Sequence, residues 1–270
     1  MFSIAVIIPA AGLSRRFNDG NAGLLASRNK LDEDLGGRPV LQRTVELFNK
    51  RDDVGAIIVA GPHDDAAFAE FELRHGDKLA LLGATLCKGG KTHRYETVKA
   101  ALGHVPESAT HVAVHDAARP VTPSELIDRV FDLAQRHPAV IPAIPAGDTI
   151  KRVEAEPVED TPDDPAATIL GIGADKPSEL RRVEETVDRD RLVHVQTPQV
   201  FEKSLLLRAY AQDDLESTDD AGLVERLGEP VVVTPGDPAN VKITRPADVR
   251  LARALGGFGP PAERAVHKRF

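Results

Sequence analysis

Residues Ser3–Pro9 form an apolar, β-branched run that breaks at once into Ala10-Ala11-Gly12. A run this short and uniformly apolar has no polar face to turn toward water. It therefore belongs inside a sheet covered on both sides, as a buried parallel strand feeding a tight loop. The same logic recurs in Val54–Ala60, His111–His115, Ala139–Ile144 and Pro230–Thr234, each followed or preceded by apolar residues at helical spacing. Val40, Leu41, Val45 and Phe48 make one such stripe; Leu126, Ile127, Val130, Phe131 and Ala134 make another. Pro39 and Pro123 stand where a first helical turn tolerates a missing N–H, and Arg245-Pro246 opens a last helix predicted to run to about Leu255. Strands alternating with amphipathic helices predict an α/β protein: a doubly wound, mostly parallel sheet with helices on both faces. A chain of 270 residues is near the upper size for one core, so residues 1–255 are expected to form a single domain.

Two segments interrupt the pattern. Glu154–Leu180 is rich in proline, aspartate and alanine and reads as an excursion from the core, within an arm at about 148–192. Gly256–Phe270 opens with Gly-Gly-Phe-Gly-Pro-Pro and is expected to fray. The net charge of −8 argues against a nucleic-acid partner, because a polyphosphate backbone would be repelled at long range. Anion-binding groups must then be gathered locally. One cysteine, Cys87, forms neither an intramolecular disulfide nor a multi-thiolate zinc site, which fits a reducing compartment. The first apolar run is too short to span a bilayer and has no basic residue before it, so a cytoplasmic protein with no membrane association is expected.

The chemistry concentrates at strand ends. Pro9-Ala10-Ala11-Gly12-Leu13-Ser14-Arg15-Arg16 puts small residues directly after the first strand, where backbone N–H groups can cradle phosphate and an arginine can fork onto it. Neither the dinucleotide spacing G-x-G-x-x-G nor the P-loop spacing G-x-x-x-x-G-K-[ST] is present there. Read alone, the turn suits an ordinary strand-to-helix connection equally well. His115-Asp116-Ala117-Ala118-Arg119-Pro120 places a carboxylate and a guanidinium three residues apart at the end of another strand. Aspartate at that point can position magnesium or a ligand hydroxyl, and arginine can grip phosphate; a capping ion pair is the alternative. Gly89-Gly90 with Thr97, and Lys242 embedded in Asn240-Val241-Lys242-Ile243-Thr244, read singly as a turn and an edge-strand lysine.

Taken in order, these pieces resemble the 2-C-methyl-D-erythritol 4-phosphate cytidylyltransferases. The resemblance runs through IIPAAGLSRRF at 7–17, Lys30, Gly89-Gly90 with ETV at 96–98, VHDAARP at 114–120, DTIKRV at 148–153, TVDR at 186–189, QTPQVF at 196–201, TDDAGLVE at 218–225 and NVKITRP at 240–246. The ribitol 5-phosphate cytidylyltransferases are a close relative, and a catalytically silent nucleotide-binding scaffold is the alternative of another class. The resemblance implies a Rossmann-like nucleotidyltransferase with a protruding β-arm, CTP and a polyol phosphate as substrates, magnesium as cofactor, and a homodimer through the arm. It implies that Pro9, Ala10, Ala11 and Gly12 hold the nucleotide, with Ala117 and Asp116 also against it. Arg16 and Lys30 would grip the triphosphate, and Gly89, Gly90 and Thr97 would lie at the cytosine. Asp116, Arg119, Thr218 and Lys242 would hold the sugar phosphate, with Asp116 also a magnesium ligand. Catalysis would rest on Arg16, Lys30 and Lys242, while Thr149 and Arg189 would reach into the partner's site.

This sequence departs from the family pattern in places. The stretch Glu154–Val183 is longer, the spacing from Arg16 to Lys30 is longer, and Asn29 and Leu31 flank the lysine in place of proline and glutamine. Arg28 is thus an alternative to Lys30 on the same segment. One extra residue lies between Gly90 and Glu96, and Ala239 stands where aspartate is frequent.

Overall fold

A computed structural model describes residues 2–18, 28–158 and 180–259. The chain divides into two compact units, Met1–Ile144 with Val195–Phe270, and Pro145–His194.

In the larger unit, β1 (Ile4–Pro9), β2 (Val54–Gly61), β3 (Ala84–Lys88), β4 (His111–Val114) and β5 (Ala139–Pro145) are sheet strands. The arm contributes β6 (Ile150–Val153) and β7 (Val183–Val187), and β8 (Val193–Val195), β9 (Gln199–Glu202) and β10 (Val232–Pro235) follow. The main path of the sheet runs β10-β5-β9-β4-β1-β2-β3. The pairs β1·β2, β1·β4, β2·β3 and β5·β10 are parallel, while β9 runs antiparallel between β4 and β5. The order reverses at β1, since β2 and β3 extend to one side and β4 lies on the other. In sheets of this kind that reversal opens a crevice beyond the carboxyl ends of the strands, where ligands bind.

The helices are α1 (Arg15–Asn18), α2 (Val40–Glu46), α3 (Asp65–Leu81), α4 (Arg94–Leu102), α5 (Ser124–Ala134), α6 (Lys203–Tyr210), α7 (Ala221–Arg226) and α8 (Pro246–Leu255). Alternate side chains of β1 feed opposite cores. Ile4, Val6 and Ile8 pack with Val40, Leu41 and Val45 of α2, Leu126, Val130 and Phe131 of α5, and Val249 of α8. Ala5 and Ile7 pack with Val98 of α4, Leu206 of α6 and Val224 of α7. That two-sided burial is what the unbroken apolar run in β1 demands.

Two expectations change. Asn240–Thr244 is not a strand: Ile243 N–H donates to the Ala118 carbonyl and the Asn240 carbonyl accepts from Arg119, so the segment is tied to the turn after β4 rather than to a ladder. The residues just past α8 are docked rather than frayed, with the Arg43 guanidinium 4.3 Å from the centre of the Phe258 ring; residues 260–270 lie outside the described residues. The arm forms a compact unit, Pro145–His194. It is a two-stranded antiparallel ribbon in which Ile150 faces Val187 and Arg152 pairs with Glu185 at 2.7 Å. Of the predicted excursion Glu154–Leu180, residues 159–179 lie outside the described residues.

Candidate active site

The switch point gathers most of the predicted groups. Beyond β1, Ala10–Ser14 leads into α1, with Ser14 in the left-handed region at φ 53°. Its hydroxyl donates to Asn29 Oδ1 at 3.2 Å and accepts from the Lys30 N–H at 3.2 Å. The small-residue turn and the lysine segment are thereby fastened to each other. Asn29, where the family carries proline, also caps the turn of 3-10 helix Lys30–Asp32 by accepting from Leu31 N–H at 3.1 Å. Arg28 is turned elsewhere: it pairs with Glu33 at 2.7 Å and lies 5.9 Å from the centre of the Phe17 ring. Lys30 instead extends its ammonium to the Ile243 carbonyl at 2.9 Å, so it is Lys30 that enters the cleft.

Beyond β4, the turn carrying Asp116 is fixed by a chain of hydrogen bonds. Burial lowers the His115 imidazole to about 4, so the ring is neutral at pH 7. Asp116 N–H donates to Thr197 Oγ at 3.0 Å, and Thr197 Oγ lies 3.2 Å from His115 Nδ1. His115 Nε2 lies 3.2 Å from the Arg119 carbonyl. That carbonyl can only accept, so the single ring proton belongs on Nε2 and Nδ1 accepts from the threonine hydroxyl. Asn240 locks the facing segment, donating to the Thr197 carbonyl at 2.9 Å and accepting from the Thr122 hydroxyl at 2.8 Å. Lys242 is delivered by this lock, its ammonium 2.9 Å from Asp116 Oδ2.

Asp116 is the electrostatic centre. Its Oδ2 also meets Arg119 Nε at 3.1 Å, and its Oδ1 lies 3.7 Å from Arg94 Nε. Burial alone would raise its pKa, but the charges of Lys242, Arg94 and Arg119 override burial and hold the carboxyl well below the usual carboxylate range. Lys30 is the counterpart. Burial first, then the charge of Lys242 and more weakly that of Arg16, lower it to about 8, against a partial opposing pull from Asp116. Lys242 and Arg16 thus both act on the charge of Lys30, as convergence on one cleft requires. Arg16 itself is exposed and has no ion-pair partner among the described residues.

Gly89 and Gly90 sit between β3 and α4, pressed against Thr97. A Cβ on Gly89 would lie 2.6 Å from the Gly61 carbonyl oxygen, and one on Gly90 would lie 2.7 Å from Thr97 N. Only glycine permits this approach. Gly90 N–H donates to Thr97 Oγ at 3.1 Å. Ala117 is buried, its carbonyl accepting from Thr44 Oγ at 2.9 Å. Thr218 lies exposed on the loop before α7, whose next residue, Asp219, is held by Gln199 at 2.8 Å. Thr149 and Arg189 lie in the arm, where the Arg189 guanidinium donates to the Gly147 carbonyl.

Asp116 is shared among three cations, closely through Oδ2 by Lys242 and Arg119 and at longer range through Oδ1 by Arg94. Among the described residues no group of three His, Cys, Asp or Glu is placed to hold a metal. Arg94, not singled out from the sequence, belongs to the cluster. The signal was its place three residues before Thr97, at the start of the helix that carries that threonine.

An α/β switch point carrying a small-residue turn, a glycine pair and converging cations defines a protein that handles a phosphorylated nucleotide. The 2-C-methyl-D-erythritol 4-phosphate cytidylyltransferase family profile matches residues 4–167 and 174–256. The chain belongs to that family. A family member from Frankia casuarinae is 40% identical over 97% of this chain and 84% of its own length. Another from Symbiobacterium thermophilum is 38% identical over 93% of this chain and 92% of its own. The crystal structure of the 2-C-methyl-D-erythritol 4-phosphate cytidylyltransferase from Thermus thermophilus superposes with a TM-score of 0.65 at 30% identity, covering 94% of this chain and 99% of that one. The family match breaks only at 168–173, a narrower interruption than the predicted Glu154–Val183.

Proposed function

We propose that the protein transfers CMP from CTP to 2-C-methyl-D-erythritol 4-phosphate and releases pyrophosphate. The observation that carries this reading is the convergence of Lys30 and Lys242 beside Asp116 and Arg119 at the switch point. The attacking oxygen belongs to a phosphate that is already anionic, so the step needs no general base. A P–O bond forms at the α-phosphorus of CTP as the bond to pyrophosphate breaks on the opposite side. What the protein must supply is alignment of two anions and neutralisation of the charge on the leaving group. Arg16 and Lys30 would serve the triphosphate, while Arg119 and Lys242 would serve the acceptor phosphate. Gly89, Gly90 and Thr97 would meet the cytosine, where exchanging its amino donor for the carbonyl of uracil leaves a buried partner unpaired. Magnesium is assigned to the substrate, carried in on the triphosphate oxygens.

The deciding experiment is pyrophosphate release measured across CTP, UTP, ATP and GTP with methylerythritol phosphate and ribitol phosphate as acceptors. Turnover with CTP and methylerythritol phosphate is expected. Preference for another nucleotide or for ribitol phosphate would replace this reading, and no turnover with any pair would leave a nucleotide-binding scaffold.

The same reading makes the protein a cytoplasmic homodimer joined through the arm. In support, Val153 and Val183 of the arm are exposed apolar side chains, a liability on a free ribbon, and no described helix is long and apolar enough to cross a membrane. Arg189→Ala and Asp116→Ala proteins, each impaired alone, should recover activity when mixed, through hybrid sites that carry neither substitution. Absence of recovery after verified subunit exchange would count against a shared site.

A further inference from the structure

A carboxylate removed from water must be paired, and Asp220, at the start of α7, is fully buried. Its Oδ1 accepts from the Tyr210 hydroxyl at 2.5 Å and its Oδ2 from the Arg94 guanidinium at 2.8 Å. Arg94 lies far from Asp220 in sequence, on the first turn of α4, and its Nε faces Asp116 Oδ1 at 3.7 Å. One guanidinium therefore stands between a structural carboxylate and the carboxylate at the centre of the cleft.

We infer that Arg94 is a positioning residue for the acceptor phosphate, acting through Asp116 and the Thr218 loop. Two physical effects combine. First, Asp116 is shared among Lys242, Arg119 and Arg94. The cation on Oδ1 draws off part of the carboxylate's charge, so Lys242 on Oδ2 is less completely neutralised and keeps charge to offer a phosphate. Second, the pair with Asp220 anchors the end of the loop Ser217–Asp220, on which Thr218 is carried. The planar fork reaches two carboxylates at once, which an ammonium at the end of a flexible chain cannot do. Gly89 and Gly90 are held by their own steric fit and lie outside this arrangement, so the effect falls on the acceptor and leaves the cytosine contacts in place.

This inference rests on the acceptor site proposed above, and the experiment separates the two. Kinetic constants for CTP and for methylerythritol phosphate are measured for the wild type, Asp116→Asn, Arg94→Lys and the double variant Arg94→Gln/Asp220→Asn. The double variant removes both charges of the buried pair, so no uncompensated ion remains to unfold the protein. Its acceptor KM should rise about tenfold or more while its KM for CTP stays within about twofold. A folded double variant with both constants unchanged, or with both raised alike, overturns the inference, since loss of a merely structural pair has no reason to single out one substrate. Should the double variant fail to fold, Arg94→Lys decides: a raised acceptor KM alone sustains the inference and an unchanged one ends it. If Asp116→Asn itself leaves the acceptor KM unchanged, the acceptor site falls first and Arg94 with it.

Discussion

The two sides of the cleft are organised by different physics. At the glycine pair between β3 and α4 the polar groups are already matched, Gly90 N–H to Thr97 Oγ and Gly89 N–H to the Gly61 carbonyl, and the surroundings leave no space for a Cβ. Around Lys30 and Arg16 the opposite holds. One ammonium is partly desolvated among like charges and one guanidinium is exposed without an ion-pair partner among the described residues. Shape is complete before a ligand arrives, whereas charge is left open for an anion to close. Substitutions on the charged side should therefore change turnover at little cost in stability, and substitutions on the shaped side should change stability first.

The largest effect is expected at Arg16. Arg16→Ala should lower turnover by about a hundredfold or more, as loss of a preorganised charge contact commonly does. It should move the unfolding free energy by less than about 0.5 kcal/mol, as is usual for an exposed side chain. Steady-state pyrophosphate release together with a thermal melt checks both halves. Normal turnover in a folded variant would remove Arg16 from the mechanism.

Lys30 allows the charged side to be titrated. Its pKa is lowered to about 8, so the ammonium is charged below that pH and neutral above it. The kcat/KM for CTP reports the free enzyme and should fall as pH rises through about 8, approaching a tenfold loss per unit. Triphosphate binding favours the charged form, so the matching inflection in kcat should lie at higher pH. Lys30→Arg should lose the inflection, because guanidinium stays charged throughout. An unshifted inflection in that variant would assign the titration to another group.

How much of this was legible in sequence follows the same division. The buried strand β1 and the helices α2, α5 and α8 were readable because burial writes itself as local periodicity. β3, an edge strand in which only Ala84 and Cys87 are buried, gave no such run. Nor did β9, whose antiparallel place between β4 and β5 depends on pairing with residues far away in the chain. At the site, the turn after β1 and the Asp116–Arg119 turn were visible as contiguous motifs. Arg94 was not, because its meaning lies in carboxylates at positions 116 and 220 that only folding brings to it. Lys242 was visible as a residue but misplaced in a strand. Alternating apolar neighbours also suit a segment that buries Ile243 while spanning a loop.

Gly90 offers the smallest effect on turnover and the cleanest contrast. A Cβ there would collide with the Glu96 Cβ and stand 2.6 Å from the Glu96 carbonyl carbon. The second contact is with backbone, so no rotamer change relieves it and the Glu96–Thr97 backbone must give, while Arg94 stays clamped by Asp220. Gly90→Ala should therefore cost about 1–3 kcal/mol of stability, the usual range for overpacking, visible as a lowered melting temperature. The shift also carries Thr97 with it, since Thr97 Oγ is bound to Gly90 N–H. The KM for CTP should rise by a few fold, with that for the acceptor phosphate unchanged, the reverse of the pattern expected from Arg94. A variant of wild-type stability whose acceptor KM rises instead would mean that the two sides are not separately organised, and that charge around Asp116 feels the glycine pair directly.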